Sequence, residues 1–198
     1  MDFTQSQTKI NLARAFAGES QARNRYTIYA NQAKKQDQEY LARIFEETAE
    51  NERVHAEEFL EMLQKHGGAV QPNIDITAGY PYTLGTLEEN LQAAAEGELE
   101  EETKAYPAFA EVAEREGFKD VARLFRLIAT IEGVHHNVFS QALEQLKNGT
   151  LFQKKEPITW RCLNCGYTYT AEKALNPCPV CQKSGQWAEG NLDRKNLS

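Results

Sequence analysis

The chain has 198 residues, 41% of them apolar and 26% charged, which fits one sizeable folded domain with room for a small appendage. Its formal charge of −7 argues against a nucleic-acid-binding protein, which normally presents a basic face. No apolar run approaches the roughly 18–20 residues of a membrane span, and the polar opening MDFTQSQTKI has no signal-peptide core, so a cytoplasmic location with no membrane or nucleic-acid partner is expected.

Taken in chain order, residues 5–35 and 38–66 read as two helices, the second stopped by Gly67 and Gly68 after His66. Residues 66–85, HGGAVQPNIDITAGYPYTLG, are rich in Gly and Pro and lack helical periodicity. Residues 86–116 and 118–147 read as two more helices around the short REGFKD turn, and NGT at 148–150 ends the last. Helices of about 28 residues are about 42 Å long. A twenty-residue connection reaches about 66 Å when extended, so it can return the chain along the whole bundle. One long crossover in a four-helix bundle is the ferritin-like topology, and it predicts that the second and third helices run parallel. Domain boundaries follow: a bundle over 1–148, a linker over 149–157 and a cysteine-bearing module over 158–198. From residue 151 onward there are 7 basic and 4 acidic residues, against 15 and 25 before it, so a basic tail is joined to an acidic body.

The bundle repeats itself. LARIF at 41–45 returns as VARLF at 121–125, and ERVH at 52–55 as EGVH at 132–135, both offset by 80, while GE at 18–19 returns at 97–98, offset by 79. Two copies of one helical hairpin, differing by a single residue in length, account for this.

Each helix carries an apolar stripe at steps of three and four, and each stripe is interrupted by acid near its middle. The second runs Leu41, Phe45, Thr48, Glu52, His55, Phe59, Met62, and the fourth Val121, Phe125, Ile128, Glu132, His135, Phe139, Ala142, Leu146. The third runs Leu87, Leu91, Ala94, Glu98, Glu101, Ala105, Phe109, Val112, and the first Phe16, Glu19, Ala22, Tyr26, Tyr29. Any one Glu in such acidic helices is ordinarily a surface residue, as Glu46, Glu47, Glu57, Glu58 and Glu61 are expected to be. Two E-x-x-H pairs at equivalent repeat positions, with carboxylates on both other helices, are a different matter. Five carboxylates gathered in a core are prohibitive without compensation, since one unpaired buried charge costs several kcal/mol. Arg23, on the inner side of the first helix, could offset one. Two divalent cations would offset four, and oxygen donors with two imidazoles suit iron or manganese. The expectation is a dimetal carboxylate site in the bundle core. Glu101 exceeds the usual six-residue set but falls one turn from Glu98 on the same stripe. His66 and His136 are expected to be a helix end and a solvated neighbour.

All four cysteines lie in the tail, as Cys162, Cys165, Cys178 and Cys181 in the pattern C-x2-C-x12-C-x2-C. That spacing predicts one tetrahedral four-thiolate site, and it leaves redox iron and structural zinc equally open. So short a module needs its metal and its aromatic residues Trp160, Tyr167, Tyr169 and Trp187 to organise it.

AFAGESQARNRY at 15–26, ENERVHAEE at 50–58, EGELEEETKAYP at 96–107, IEGVHH at 131–136 and the CLNCGY…CPVC tail, in this order, resemble the rubrerythrins over essentially the whole chain. The resemblance implies a non-haem di-iron peroxidase that reduces hydrogen peroxide, with a rubredoxin-like Fe(Cys)4 module, zinc being a possible substitute there. By motif match it implies Glu19, Glu52, Glu98, Glu101 and Glu132 as carboxylate ligands, with His55 and His135. It implies Tyr26 and Tyr106 as hydrogen-bond supports of ligand carboxylates, and an iron held by His55 when reduced and by Glu101 when oxidised. A head-to-tail homodimer, whose tail serves the partner's bundle, and an electron donor that is a rubredoxin or nicotinamide-linked reductase are also implied. Pro107 is expected to kink the third helix. Gln182 departs from the family pattern, standing where rubredoxins carry glycine. The competing reading is an iron-storage protein that oxidises ferrous iron and carries a structural zinc ribbon, and a weaker third is a mixed-metal or manganese site.

Overall fold

In the computed structural model, which describes residues 1–70 and 72–190, a short 3-10 turn, Phe3–Gln5, leads into α1, Gln7–Lys35. It is followed by α2, Glu39–Gly67, then α3, Leu87–Glu100, a π-helical turn over Glu101–Ala105, α4, Tyr106–Glu116, and α5, Lys119–Lys147. The third helix of the bundle is therefore α3, the π turn and α4 in series. Pro107 does not by itself produce the break; it sits in the first positions of α4, where a residue without N–H is accommodated as the helix returns from π to α.

The starts of α1 and α3 are capped by side chains. Ser6 accepts from the Lys9 N–H at 3.1 Å, and Thr86 with Glu89 forms a capping box at α3. The Glu116 carboxylate, from the far end of α4, accepts from the backbone N–H of Gln7 at 3.0 Å and of Thr8 at 2.8 Å, and so holds the start of α1.

Two apolar clusters show how the helices run. One gathers the end of α1 (Tyr29, Ala33), the start of α2 (Leu41, Phe45), the start of α3 (Leu87, Leu91) and the end of α5 (Phe139, Leu143). The other gathers the start of α1 (Leu12), the end of α2 (Phe59, Leu63), α4 (Ala110, Ala113) and the start of α5 (Val121, Phe125). The α3–α4 helix thus runs in the same sense as α2, as the long crossover requires. Four helices with one long crossover between the second and third form the ferritin-like arrangement.

The tail forms a three-stranded antiparallel sheet in the order β2-β1-β3, with β1 Gln153–Cys162, β2 Thr168–Lys173 and β3 Trp187–Glu189. β1 begins inside the segment read from sequence as linker, and residues 191–198 of the expected module lie outside the described residues. Trp160, Trp187, Cys162 and Cys178 form its small core. The module rests on the α1–α2 turn of its own bundle: the Glu39 N–H donates to Gly185 O at 3.2 Å, and Arg43 Nη2 to Leu163 O at 2.8 Å. Gly185 is needed there, because its φ is +64° and a Cβ would overlap the Asp37 carbonyl.

Candidate metal centre

Between the two apolar clusters lies a polar layer. Glu19, Glu52, Glu98, Glu132, His55 and His135 are all at most 5% exposed, although nothing in their residue types favours burial. Their ligand atoms fall into two groups, each within 4.8 Å: Glu19, Glu52, His55 and Glu132, and Glu52, Glu98, Glu132 and His135. Glu52 and Glu132 belong to both, the placement needed of carboxylates that bridge two ions. His55 Nδ1 lies 2.9 Å from Glu52 Oε2 and 3.0 Å from Glu132 Oε1, and His135 Nδ1 lies 2.8 Å from Glu132 Oε2 and 3.2 Å from Glu52 Oε1. Each imidazole thus faces both shared carboxylates.

The groups are related by the internal repeat. Offset 80 maps Glu52 onto Glu132, His55 onto His135 and Tyr26 onto Tyr106, whereas Glu19 maps onto Glu98 at offset 79. The extra residue therefore lies between 98 and 106, where the π turn absorbs it. The tyrosines cross over: Tyr26 donates to Glu98 Oε1 and Tyr106 donates to Glu19 Oε1. Burial and the neighbouring carboxylates push both phenols well above their ordinary range, so they remain donors.

Proton affinities show how far the site is from an ordinary core. Burial first, then Glu52, pushes Glu19 well above the usual carboxylate range and Glu98 up to about 8. Burial opposes the charge on Glu52 too, but His135 and His55 outweigh it and hold the carboxyl at about 2. The imidazoles likewise overcome their burial, His55 reaching about 9 through Glu132 and Glu52, and His135 about 12 through Glu132, Glu52 and Glu98. Without metal, then, protons hold the acids together. They do so incompletely: Glu19 Oε2, Glu52 Oε1, Glu98 Oε2 and Glu132 Oε1 have no aligned hydrogen-bond donor. Four buried oxygens without an aligned donor, grouped with two imidazoles, offer the kind of oxygen and nitrogen donors that a pair of divalent cations takes.

Glu101 stands apart. It is half-buried and belongs to neither group of close ligand atoms. Burial, Glu98 and Glu132 raise its carboxyl well above the usual range, and its Oε1 lies 3.8 Å from where a Gly18 side chain would begin. It lines a cavity of about 770 Å³ that opens between α1 and the α3–α4 helix and also meets Tyr106, Arg14, Arg25 and Phe109. Crossover residues 77–81 and 83 form one wall. They are pinned to α1 where Arg14 Nε donates to Thr77 O at 3.0 Å, Tyr80 OH to Arg14 O at 2.8 Å, and Tyr29 OH to Thr83 O at 2.5 Å. The long connection is thus a wall beside the site.

Three sequence expectations are corrected. Arg23 is exposed and offsets no core charge, and Arg25 instead lies close enough to lower the Glu101 and Tyr26 proton affinities. His136 is not solvated but half-buried, one ring nitrogen 2.8 Å from Ala95 O. His66 does more than end a helix: its Nε2 meets Asp120 Oδ2 at 3.0 Å, joining the end of α2 to the start of α5. Sequence reasoning also missed Asn51, whose Oδ1 lies 3.1 Å from His135 Nε2. Its position one residue before Glu52 carries no periodic signal.

The tail cysteines form a third group. Cys162 Sγ and Cys181 Sγ are 3.7 Å apart, and Cys165 Sγ and Cys178 Sγ 3.8 Å. A tetrahedron of metal–sulfur bonds of about 2.3 Å has edges of about 3.8 Å, so the thiols are set for one ion. The two CxxC turns match: Gly166 N–H donates to Cys162 O and Gln182 N–H to Cys178 O, both at 2.9 Å. Gln182 achieves this at φ +59°, against +79° for Gly166. The departure from glycine therefore leaves the turn intact but places a side chain in a left-handed conformation.

A family model described as Rubrerythrin matches residues 11–143, and one for the rubrerythrin rubredoxin-like domain matches residues 160–186. The chain belongs to the rubrerythrin family. It is 48% identical to "Rubrerythrin" of Porphyromonas gingivalis over 177 residues, covering 89% of this chain and 86% of that one. It is likewise 48% identical to "Rubrerythrin-1" of Clostridium acetobutylicum, with 89% and 90% covered. Among solved structures, partially reduced nigerythrin superposes with a TM-score of 0.63 at 25% identity over 96% of this chain and 94% of that one. A Desulfovibrio desulfuricans bacterioferritin, described by its diiron site in different catalytic states, gives 0.63 at 25% identity over 73% and 82%. Membership brings with it a ferritin-like helical domain, here carrying the candidate dimetal site, and a rubredoxin-like domain. Among the described residues, no helix is long and apolar enough to cross a membrane.

Proposed function

We propose that this rubrerythrin-family chain is a peroxidase that reduces hydrogen peroxide to water in the cytoplasm and protects against oxidative stress. The observation that carries this is the pair of four-residue groups sharing Glu52 and Glu132. When bound, two ferrous ions would supply the two electrons that cleave the O–O bond, giving two waters from H2O2, two electrons and two protons, and an Fe(Cys)4 ion would return electrons singly. Glu19, Glu52, His55, Glu98, Glu132 and His135 would hold the pair, with Glu101 exchanging with His55 as the charge rises. Tyr26 and Tyr106 fix Glu98 and Glu19 and keep their own protons. The cavity at Glu101 offers peroxide an approach on that side, while the sealed apolar clusters keep water from the other faces.

The tail's own placement supports a head-to-tail homodimer. It sits beside Arg43, nine residues along α2 from Glu52, a rise of about 14 Å before side-chain reach is added. Electron transfer falls steeply with distance, so a partner's tail brought to the flank of the bundle would serve the site better. The outer face of α5, where Leu127, Ile131, Val134 and Val138 are all more than a third exposed at helical spacing, suits a second copy. A rubredoxin or a nicotinamide-linked reductase is the proposed donor.

A second reading, iron storage with a zinc ribbon, rests on the equal superposition with bacterioferritin and on sulfur spacings that zinc would also satisfy. Anaerobic titration of the reduced, iron-loaded protein separates them. The peroxidase consumes one H2O2 per pair of bundle irons, with the red absorption of oxidised Fe(Cys)4 bleaching and recovering as a donor turns it over. A colourless tail and no donor-driven turnover support storage.

A further inference from the structure

The two halves of the centre should be equivalent by the internal repeat, and around the imidazoles they are not. His135 Nε2 meets Asn51 Oδ1 at 3.1 Å across the α2–α5 contact. The repeat position of Asn51 is 131, offset by 80 like the histidines, and it holds Ile131, which offers no acceptor. Among the described residues His55 Nε2 has no protein partner, although its Nδ1 is bracketed by carboxylates as closely as that of His135.

The chemistry of this difference is specific. Nδ1 of each ring faces Glu52 and Glu132, so it is the nitrogen that can bind a metal, and it does so only as the lone pair of the Nε2–H tautomer. A carbonyl oxygen at Nε2 accepts from that N–H. It selects the metal-binding tautomer, fixes the ring plane and makes Nδ1 the better donor, the effect such outer partners have at metal sites. His55 receives none of this and must pay for its orientation when a metal arrives.

We propose that Asn51 is a positioning residue that makes the two metal positions unequal, the one on the His135 side binding its ion more tightly than the one on the His55 side. The inference rests on the metal-pair reading above and adds which position fills first and why.

The test is stepwise addition of Co(II) to the full-length metal-free protein under anaerobic conditions. Cobalt on the four tail thiolates is counted separately by its strong charge-transfer absorption. Wild-type protein is expected to take up two bundle equivalents in two resolved steps. Its cobalt form should show one slowly exchanging, paramagnetically shifted imidazole N–H proton in NMR. In Asn51→Leu the tighter step weakens by about 10–100-fold, the weaker step stays within about twofold, and the N–H signal is lost to solvent exchange. Asn51→Asp, which retains an acceptor, keeps both. A general loss of folding would weaken both steps together, so only selective loss of the tighter one supports the role. If Asn51→Leu keeps both steps and the N–H signal, or loses both steps alike, the proposal is overturned. Wild-type protein that takes up no bundle pair would instead overturn the metal-pair reading beneath it.

Discussion

The hairpin α1–α2 and the hairpin formed by α3, α4 and α5 repeat one sequence pattern, and their comparison explains most of the centre. Glu52 and Glu132, His55 and His135, Tyr26 and Tyr106 correspond pair by pair, and the tyrosines brace each other's carboxylates across the bundle. The differences are few. The second hairpin has one residue more, held in the π turn, and there Glu101 adds a carboxylate that the first lacks. The first hairpin has Asn51 where the second has Ile131. A symmetric frame sets out two groups of close ligand atoms, and local departures from symmetry make the two groups unequal.

The largest effect is expected from the shared residues. Glu132→Ala removes a member of both groups and is expected to abolish binding of the metal pair, read as loss of two bundle equivalents by metal analysis, with the tail ion retained. Glu19→Ala touches one group only and should leave one equivalent bound. Equal losses in the two variants would break the assignment of Glu132 as a bridge.

Metal removal gives the next largest effect, through pH. Metal-free Glu98, buried beside Glu52, keeps its proton to about 8, above its ordinary 4.5, and His55 keeps its charge to about 9, above its ordinary 6.5. Both bind protons more tightly when folded, so their stabilisation is complete below the ordinary values and fades as pH climbs through 8 and 9. Glu52, held at about 2, acts in the opposite sense, but only below about 4.5. The thermal midpoint of metal-free protein is therefore expected to fall between about pH 6 and pH 9. The metal-loaded form, whose ions replace these protons, should not follow it, because metal binding strengthens as protons leave.

A smaller and more diagnostic pair is Tyr26→Phe and Tyr106→Phe. Each removes the donor to one carboxylate and is expected to weaken one metal position by about tenfold, Tyr106→Phe on the Glu19 side and Tyr26→Phe on the Glu98 side. Cobalt titration reads which step moves. If both substitutions weaken the same step, the crossed bracing is wrong.

The arrangement of the bundle was largely legible because its signals are periodic. Glu52, His55, Glu132 and His135 stand on stripes whose other members are apolar, and the repeat offset pairs them before any coordinates. The change from 80 to 79 even marked the extra residue, although only the backbone shows it as a π turn. Less legible were contacts that depend on side-chain reach. Arg23, four residues past Glu19, falls just outside the inner face, while Arg25, beside Tyr26, stacks its guanidinium 5.3 Å from that ring and lies nearer the acids. Asn51 bonds across to another helix, and His136 turns to a carbonyl of α3, neither of which periodicity can register. The tail is read differently again, since its spacing specifies four thiols while the left-handed turn at Gln182 is a matter of backbone.

That turn supplies the smallest expected effect. Gln182→Gly removes a left-handed side chain and is expected to stabilise the loaded tail by about 1 kcal/mol, read by denaturant unfolding followed at the thiolate absorption, with the bundle transition unchanged.

The most direct test of the centre is anomalous diffraction from crystals of the iron-loaded protein, recorded on both sides of the iron absorption edge. Two iron peaks should lie within the bundle, each beside one histidine and both in reach of Glu52 and Glu132, with a third among the tail cysteines. A single bundle peak, or peaks on the outer surface away from those carboxylates, would contradict it.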